Sequence, residues 1–266
     1  MMSLRALNIA ATGMVANERK IDNISHNVAN SETKGYKRSD VIFNDLLYQT
    51  ETRMGSLSAA DGSIIPTGIQ FGLGTAVGAT YKVFSQGELI PTPNTPLNLA
   101  LDGNGFFLVN LPDGNTGYTR AGELMRSPDG VIVNPLGYEI SPGITIPQDA
   151  LNVTITRDGR VQATIAGQPD PQDLGQLDLA IFQNPSGLEA IGDSIYKETT
   201  ASGAPILGFA LDEGFGSIKQ HFVESSNVNS ITEIMNLIKA QRNYEMNSKV
   251  MQTAEQMAKE AIDSKS

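Results

Sequence analysis

The sequence predicts an α+β chain of several parts: N- and C-terminal helices paired as a coiled-coil-like domain, a mostly antiparallel β middle domain, and an extended arm linking them. Three observations carry this. Apolar residues at both ends recur at alternating spacings of 3 and 4. Asp-Gly pairs recur through the middle, with short β-prone runs between them. Gly and Pro, 26 and 13 among 266 residues, are absent from Ser217 onward.

The first helix rests on Leu7, Ala10, Met14, Asn17, Ile21, Ile24 and Val28. That period spans three heptads and keeps one stripe facing a partner helix. The stretch "NISHNVANSETKGYKR" (23–38) then turns polar and amide-rich, which ends the helix and places a turn at Gly35. Residues 39–74 open apolar and loosen into Gly, Ser, Ala and Thr, the texture of an extended arm or long loop.

From about 75 to 211 the texture is β. Asp-Gly stands at 102–103, 113–114, 129–130 and 158–159, where Gly supplies the positive φ that tight hairpins need. The clearest hairpin is "NVTITRDGRVQATI" (152–165), with Thr154, Thr156, Val161 and Ala163 around its turn. "GQLDLAIFQN" (175–184) reads as a strand, and 212–229 as a mixed return path. The last helix covers 230–262, with Ser230 or Asn229 as N-cap and Glu233, three residues after Ser230, as a capping-box partner. Its seam is Ile234, Leu237, Gln241, Tyr244, Ser248, Met251, Glu255, Ala258 and Ile262. Both seams hold polar and small members, so each helix is weakly driven alone and gains from neighbours. The expected division is 1–34 with 226–266 as a helical core, 35–74 with 212–225 as arm, and 75–211 as the β domain.

Charge and composition exclude several function classes. The net charge is −10 and the pI about 4.7. Nucleic-acid binding, which needs clustered Lys and Arg, is not expected. Residues 1–40 carry six basic and four acidic side chains and 231–266 five of each, leaving −12 in the middle. Cysteine is absent, which removes disulfides, thiolate zinc sites and a Cys nucleophile. No stretch approaches the roughly 20 apolar residues of a membrane span. Asn8, Thr12 and the charges at 18–20 interrupt the first apolar stretch, so a cleaved signal peptide is not expected.

No catalytic constellation is visible. Gly72, Gly74 and Gly78 lack the spacing of a dinucleotide loop. "GDSI" (192–195) offers Ser194, but a Ser nucleophile needs an activating His, and only His26 and His221 exist. Two distant His without Cys do not build a zinc cage. Catalytic, metal and cofactor residues are therefore expected to be none.

Three ordered motifs carry a resemblance. "NISHNVANSETKGYKR" resembles the N-terminal motif of the bacterial flagellar axial proteins, the rod, hook and hook-associated family. The matching positions are Asn27, Val28, Ala29, Asn30, Thr33, Gly35, Tyr36, Lys37 and Arg38, with His26 standing where Asn is usual. The C-terminal motif of the same family resembles Ser226, Asn227, Val228 and Asn229, followed by Gln241, Arg242, Tyr244, Glu245, Asn247 and Lys249. "PLNLALDGNGFFLV" (96–109) and "YTRAGEL" (118–124) are similar to the β domain shared by several family members.

The resemblance implies a structural, non-enzymatic subunit of the basal-body rod, most like distal rod subunits because of the long arm at 46–75. A hook or proximal rod subunit is the nearest alternative. A periplasmic cell-wall hydrolase or esterase using Ser194 is the alternative from another class. Both motifs are implied to be subunit interfaces, and Leu7, Met14, Ile21, Val28, Leu237, Tyr244, Met251 and Ala258 to form the helix seam. Tyr48, Gln49, Thr50, Met54, Gly55, Pro66 and Gly68 mark a rigidifying arm. The implied partners are other copies in a helical homopolymer, proximal rod and hook proteins, P- and L-ring proteins, and the type III export apparatus with the rod cap. No nucleic acid and no membrane insertion are implied. The implied location is the basal body, across the periplasm and the outer-membrane ring, after export without a cleaved signal.

Overall fold

The computed structural model describes residues 2–54, 67–166 and 170–263. Contacts divide the chain into a helical unit (Met1–Val28, Ser39–Thr80, Ser230–Ser266) and a β unit (Ala29–Arg38, Tyr81–Asn229). The segment 39–80 thus groups with the helices instead of standing as a separate linker, and 29–38 groups with the β unit.

The helical unit holds α1 (Met2–Ala29) and α2 (Ser230–Asp263). A Cβ built on Gly13 would sit 2.9 Å from Asn247 Nδ2, and the Asn27 amide donates to Glu233 Oε2 at 3.4 Å. Gly13 and Asn27 are fourteen residues apart on α1, and Asn247 and Glu233 fourteen apart on α2 in reverse order, so the helices run antiparallel. Neither helix is long and apolar enough to cross a membrane among the described residues.

The described parts of the expected arm, on either side of 55–66, form paired strands laid against α1. Ser39–Asp45 pairs with Thr75–Lys82, and Tyr48–Thr52 pairs antiparallel with Ile69–Gly72. Backbone bonds from Leu46 to Gly74 and from Leu73 to Leu47 join the two segments. These strands meet α1 at four places. The Arg5 guanidinium lies 5.0 Å from the Phe71 ring, Thr75 N–H donates to Thr12 Oγ1 at 3.4 Å, the Lys20 ammonium lies 5.7 Å from Phe43, and Ser39 N–H donates to Asn27 Oδ1 at 2.9 Å. Positions 5, 12, 20 and 27 are two helical turns apart, roughly 11 Å each, so one stripe of α1 makes all four contacts. Gly74 is needed there: its φ is +117°, and a Cβ would lie 2.1 Å from Thr12 Oγ1.

The β unit is mostly antiparallel. Phe106–Asn110 lies at the heart of a nine-stranded sheet, beside Thr116–Thr119, Glu139–Ile140 and Leu179–Ile181. Side chains of a strand alternate between faces, and here both faces are covered. Phe107 and Val109 enter one core with Leu99, Ile140 and Leu179; Phe106 and Leu108 enter another with Tyr118, Phe182 and Tyr196. The run "FFLV" is therefore continuous rather than alternating. All four expected Asp-Gly turns put Gly at positive φ, between +78° and +115°. The hairpin at 152–165 pairs Ile155 with Val161 and belongs to a three-stranded sheet closed by Gln172–Gln176. The strand expected at 175–184 is two strands in two sheets, Gln172–Gln176 and Leu179–Ile181. Leu177 is buried between them and bonded to Gly159 O, which redirects the chain.

Burial of Tyr118, and secondarily the Glu198 carboxylate beside it, pushes its phenol up from 10.0 to about 12. A folded-state pKa above the unfolded one gives stability that is complete below pH 10 and lost as pH rises from 10 toward 12. Urea midpoints measured across that window are expected to fall for the wild type and to fall less steeply for Tyr118→Phe.

Candidate functional site

The polar motifs at 27–38 and 226–229 converge on two internal junctions. In the β unit, Gly35 adopts φ +67° and its N–H donates to Glu224 O at 2.8 Å. This turn carries Tyr36 and Lys37 into the interior, where Lys37 is fully buried. Lys37 Nζ donates to Glu224 Oε1 at 2.5 Å and to Ser85 O at 2.8 Å. The same carboxylate oxygen accepts Gly87 N–H at 2.8 Å, and its other oxygen lies 3.5 Å from Arg120 Nη1. Burial pushes the Lys37 ammonium down from its ordinary value, against the opposing attraction of Glu224.

Asn227 closes the junction. Its Oδ1 accepts Arg38 N–H at 2.7 Å, its Nδ2 donates to Val83 O at 2.8 Å and Ser85 O at 3.1 Å, and its own N–H reaches Tyr36 O at 3.4 Å. An amide offers donors and an acceptor at once, so one side chain ties three segments without adding charge. Lys82 covers the turn, 4.2 Å from the Tyr36 ring and donating to Lys37 O at 3.0 Å. Desolvation lowers its pKa as well. Ser226 Oγ accepts Val228 N–H, and Thr33 Oγ1 donates to Asn30 Oδ1.

The second junction, in the helical unit, is built on Asn27, which is 1% exposed. Its Nδ2 donates to Ser39 O at 2.8 Å, Asn23 Oδ1 at 3.3 Å and Glu233 Oε2 at 3.4 Å, while Oδ1 accepts Ser39 N–H at 2.9 Å. Removing it leaves buried groups unmatched at about 1–3 kcal/mol each. Asn27→Ala is therefore expected to destabilise the helical unit by about 2–3 kcal/mol, read as faster amide exchange at Ser39 and along the end of α1.

The remaining motif positions are half-buried or exposed. Val28 is half-buried and Ala29 and Asn229 are exposed. On α2, Gln241, Arg242, Tyr244, Glu245 and Lys249 are exposed and Asn247 is half-buried against Gly13. Leu7, Met14, Ile21, Leu237, Met251 and Ala258 are half-buried. In the arm, Tyr48, Gln49, Thr50 and Met54 are exposed and Gly68 is half-buried, while Gly55 and Pro66 lie outside the described residues. His26 is on the exposed side of α1.

Glu224 and Arg120 were not singled out by the sequence reading, although a charged residue inside each of the apolar-rich runs "HFVE" and "YTRAGEL" was a visible signal. Ser194 is a turn residue at φ +57° whose hydroxyl donates to Lys34 O at 3.3 Å. No group of His, Asp or Glu among the described residues is placed to hold a metal ion.

Antiparallel terminal helices, with the buried polar groups of both motifs spent on internal fixation, form the framework of a structural subunit. Comparison with known families agrees with that class. The family model described as "Flagella basal body rod protein" matches residues 7–37, "Flagellar hook protein FlgE/F/G D1 domain" matches 100–163, and "Flagellar basal body rod FlgEFG protein C-terminal" matches 219–264. The chain belongs to the flagellar basal-body rod protein family. It is 50% identical over 254 residues to the flagellar basal-body rod protein FlgG of Caulobacter vibrioides, covering 96% of this chain and 97% of that one. It is 46% identical to the FlgG of Agrobacterium fabrum, with 96% and 97% coverage, and 36% identical to that of Bacillus subtilis, with 98% and 99%. Lys37, Arg120 and Glu224 fall one in each of the three matched regions.

Proposed function

We propose that this protein is a structural subunit of the flagellar distal rod, polymerising helically into a rigid hollow shaft that transmits torque to the hook and conducts exported subunits. The carrying observation is identity of 42–50% to five flagellar rod proteins over nearly the whole of each chain. In this reading the antiparallel helices pair as a coiled-coil-like inner layer and the β unit forms the outer layer. The 46–75 arm bridges neighbouring copies and stiffens the shaft.

Two features support polymerisation. α2 leaves Ile231, Ile234, Met235, Ile238, Met246, Val250 and Met257 exposed, Ile231 at 74%. So much apolar surface on one helix marks a site covered by something else, and an open helical array covers it through heterologous contacts. Leu47, 83% exposed, and Tyr48 give the arm a similar outward face. Exposed Gln241, Arg242, Tyr244, Glu245 and Lys249 supply polar contacts between copies in the same reading. Its neighbours are then proximal rod subunits, the hook, the P- and L-ring proteins and, during assembly, the export apparatus and rod cap. Its place is in the basal body across the periplasm.

Electron microscopy of the concentrated full chain is expected to show straight, stiff, hollow filaments. Deleting residues 46–75 is expected to yield curved or short assemblies; straight, stiff filaments from the deletion would overturn the role of the arm. Absence of any filament, with the protein also missing from labelled rods, would overturn the function itself.

A further inference from the structure

The polar core of the β unit is unbalanced in charge. Lys37 and Glu224 are fully buried and Arg120 is 3% exposed, so two cations share one carboxylate. That carboxylate is committed to Lys37 at 2.5 Å and to Gly87 N–H at 2.8 Å, leaving Arg120 only a long contact at 3.5 Å. A guanidinium carries five N–H donors and keeps its charge throughout the physiological range. Here Nη2 donates to Gly103 O at 2.8 Å, while Nε is buried and without a partner among the described residues. Burial lowers the pKa of both cations, against the opposing attraction of Glu224. Buried charges are ordinarily paired, because an unmatched one forfeits its hydration.

Arg120 lines a cavity of about 200 Å³ walled by Phe84, Phe106 and Phe182, with exposed Asn104 at its border and no acidic residue in its lining. The rings meet edge to face, Phe84 on Phe106 at 5.3 Å and Phe106 on Phe182 at 5.8 Å. The Arg120 guanidinium lies over the Phe106 ring, 5.4 Å from its centroid, so the cation is set against this wall of the cavity. The room exceeds that of several waters. A planar oxyanion suits a guanidinium through parallel N–H bonds.

We propose that this cavity is a carboxylate-binding site, in which Arg120 receives its missing counter-charge from outside the β unit. The carboxylate comes either from an Asp or Glu side chain of a second copy or from a small free organic acid. The first source rests on the polymer reading above; the site itself does not.

The test uses the full chain below its polymerisation concentration, with sodium acetate as probe and the Arg120 Nε–H resonance as readout. Acetate is expected to shift that resonance saturably, and sodium chloride at equal ionic strength is not. Asn104→Asp places an internal carboxylate at the border of the cavity without touching the buried cluster, and is expected to weaken acetate binding at least about tenfold. No saturable shift, or equal acetate binding by wild type and Asn104→Asp, overturns the proposal. In a second arm, acetate and Asn104→Asp each raising the critical concentration for filaments assigns the carboxylate to a second copy. Unchanged filament formation alongside intact acetate binding assigns it to a free acid. A chain that binds acetate but never forms filaments sinks the polymer reading and leaves the site standing.

Discussion

Glu224→Ala is expected to destabilise the β unit by about 3–5 kcal/mol, the range for removing one partner of a buried ion pair. The loss exceeds one broken bond. Lys37 Nζ loses its 2.5 Å acceptor, Gly87 N–H loses its own, and Arg120 loses its one charged partner. Two cations would then be buried with no anion. Glu224→Gln separates charge from shape, because a carbonyl oxygen still accepts from Gly87 while the counter-charge is gone; most of the loss is expected to remain. The double variant Lys37→Met/Glu224→Met is expected to recover part of it, since an apolar pair of similar volume often replaces a buried ion pair at little cost. Urea unfolding of the wild type, Lys37→Met, Glu224→Met and the double variant, arranged as a double-mutant cycle, measures the coupling. A Glu224→Ala midpoint equivalent to less than about 1 kcal/mol of loss would refute the clamp.

Gly35→Ala is the second large effect, at about 3 kcal/mol or more. Residues other than Gly pay roughly 1–2 kcal/mol in the left-handed region, and Gly35 lies at φ +67°. Steric overlap adds to that. A Cβ at Gly35 would stand 2.5 Å from Ala121 N and 2.7 Å from Ala121 Cα. These are backbone atoms, and Ala121 N–H is itself held by Thr119 Oγ1 at 3.0 Å. The turn must move, and with it goes the bond from Gly35 N–H to Glu224 O and the seating of Lys37. Gly114→Ala is the control: φ is +78°, but nothing lies within 4 Å of its Cβ position. It is expected to cost only the backbone part, about 1–2 kcal/mol. Equal thermal shifts for the two variants would show that crowding against Ala121 is unimportant.

These two residues mark the limit of what was legible. The turn at Gly35 was readable from its polar surroundings, and the four Asp-Gly turns from the dipeptide alone, because positive φ is a local demand. The helices were readable from their period, and Leu237, Met251 and Ala258 of α2 are half-buried. At three other seam positions burial falls one residue earlier than the spacing placed it. Glu233, Ala240 and Ala254 are buried and Asn247 is half-buried, whereas Ile234, Gln241 and Glu255 are exposed. Apolar spacing selects the largest hydrophobic residue in each turn. A helix that approaches its neighbour closely, as at Gly13, selects the small ones instead.

By itself, then, the sequence determined what is set within a few residues: two long helices, the Gly-bearing turns, an antiparallel middle, and motifs sufficient to indicate a flagellar rod protein. Only the tertiary structure decided that the described strands of the arm pair and lie along one stripe of α1, that Leu177 breaks a strand in two, and that the motifs at 35–38 and 226–229 bond to each other. It alone placed Lys37, Arg120 and Glu224 in one buried cluster. Those pairings join positions 104 and 187 residues apart. No local period or propensity encodes them; they follow from which segments the packed cores bring together, and from the cost of carrying a charge inside unpaired.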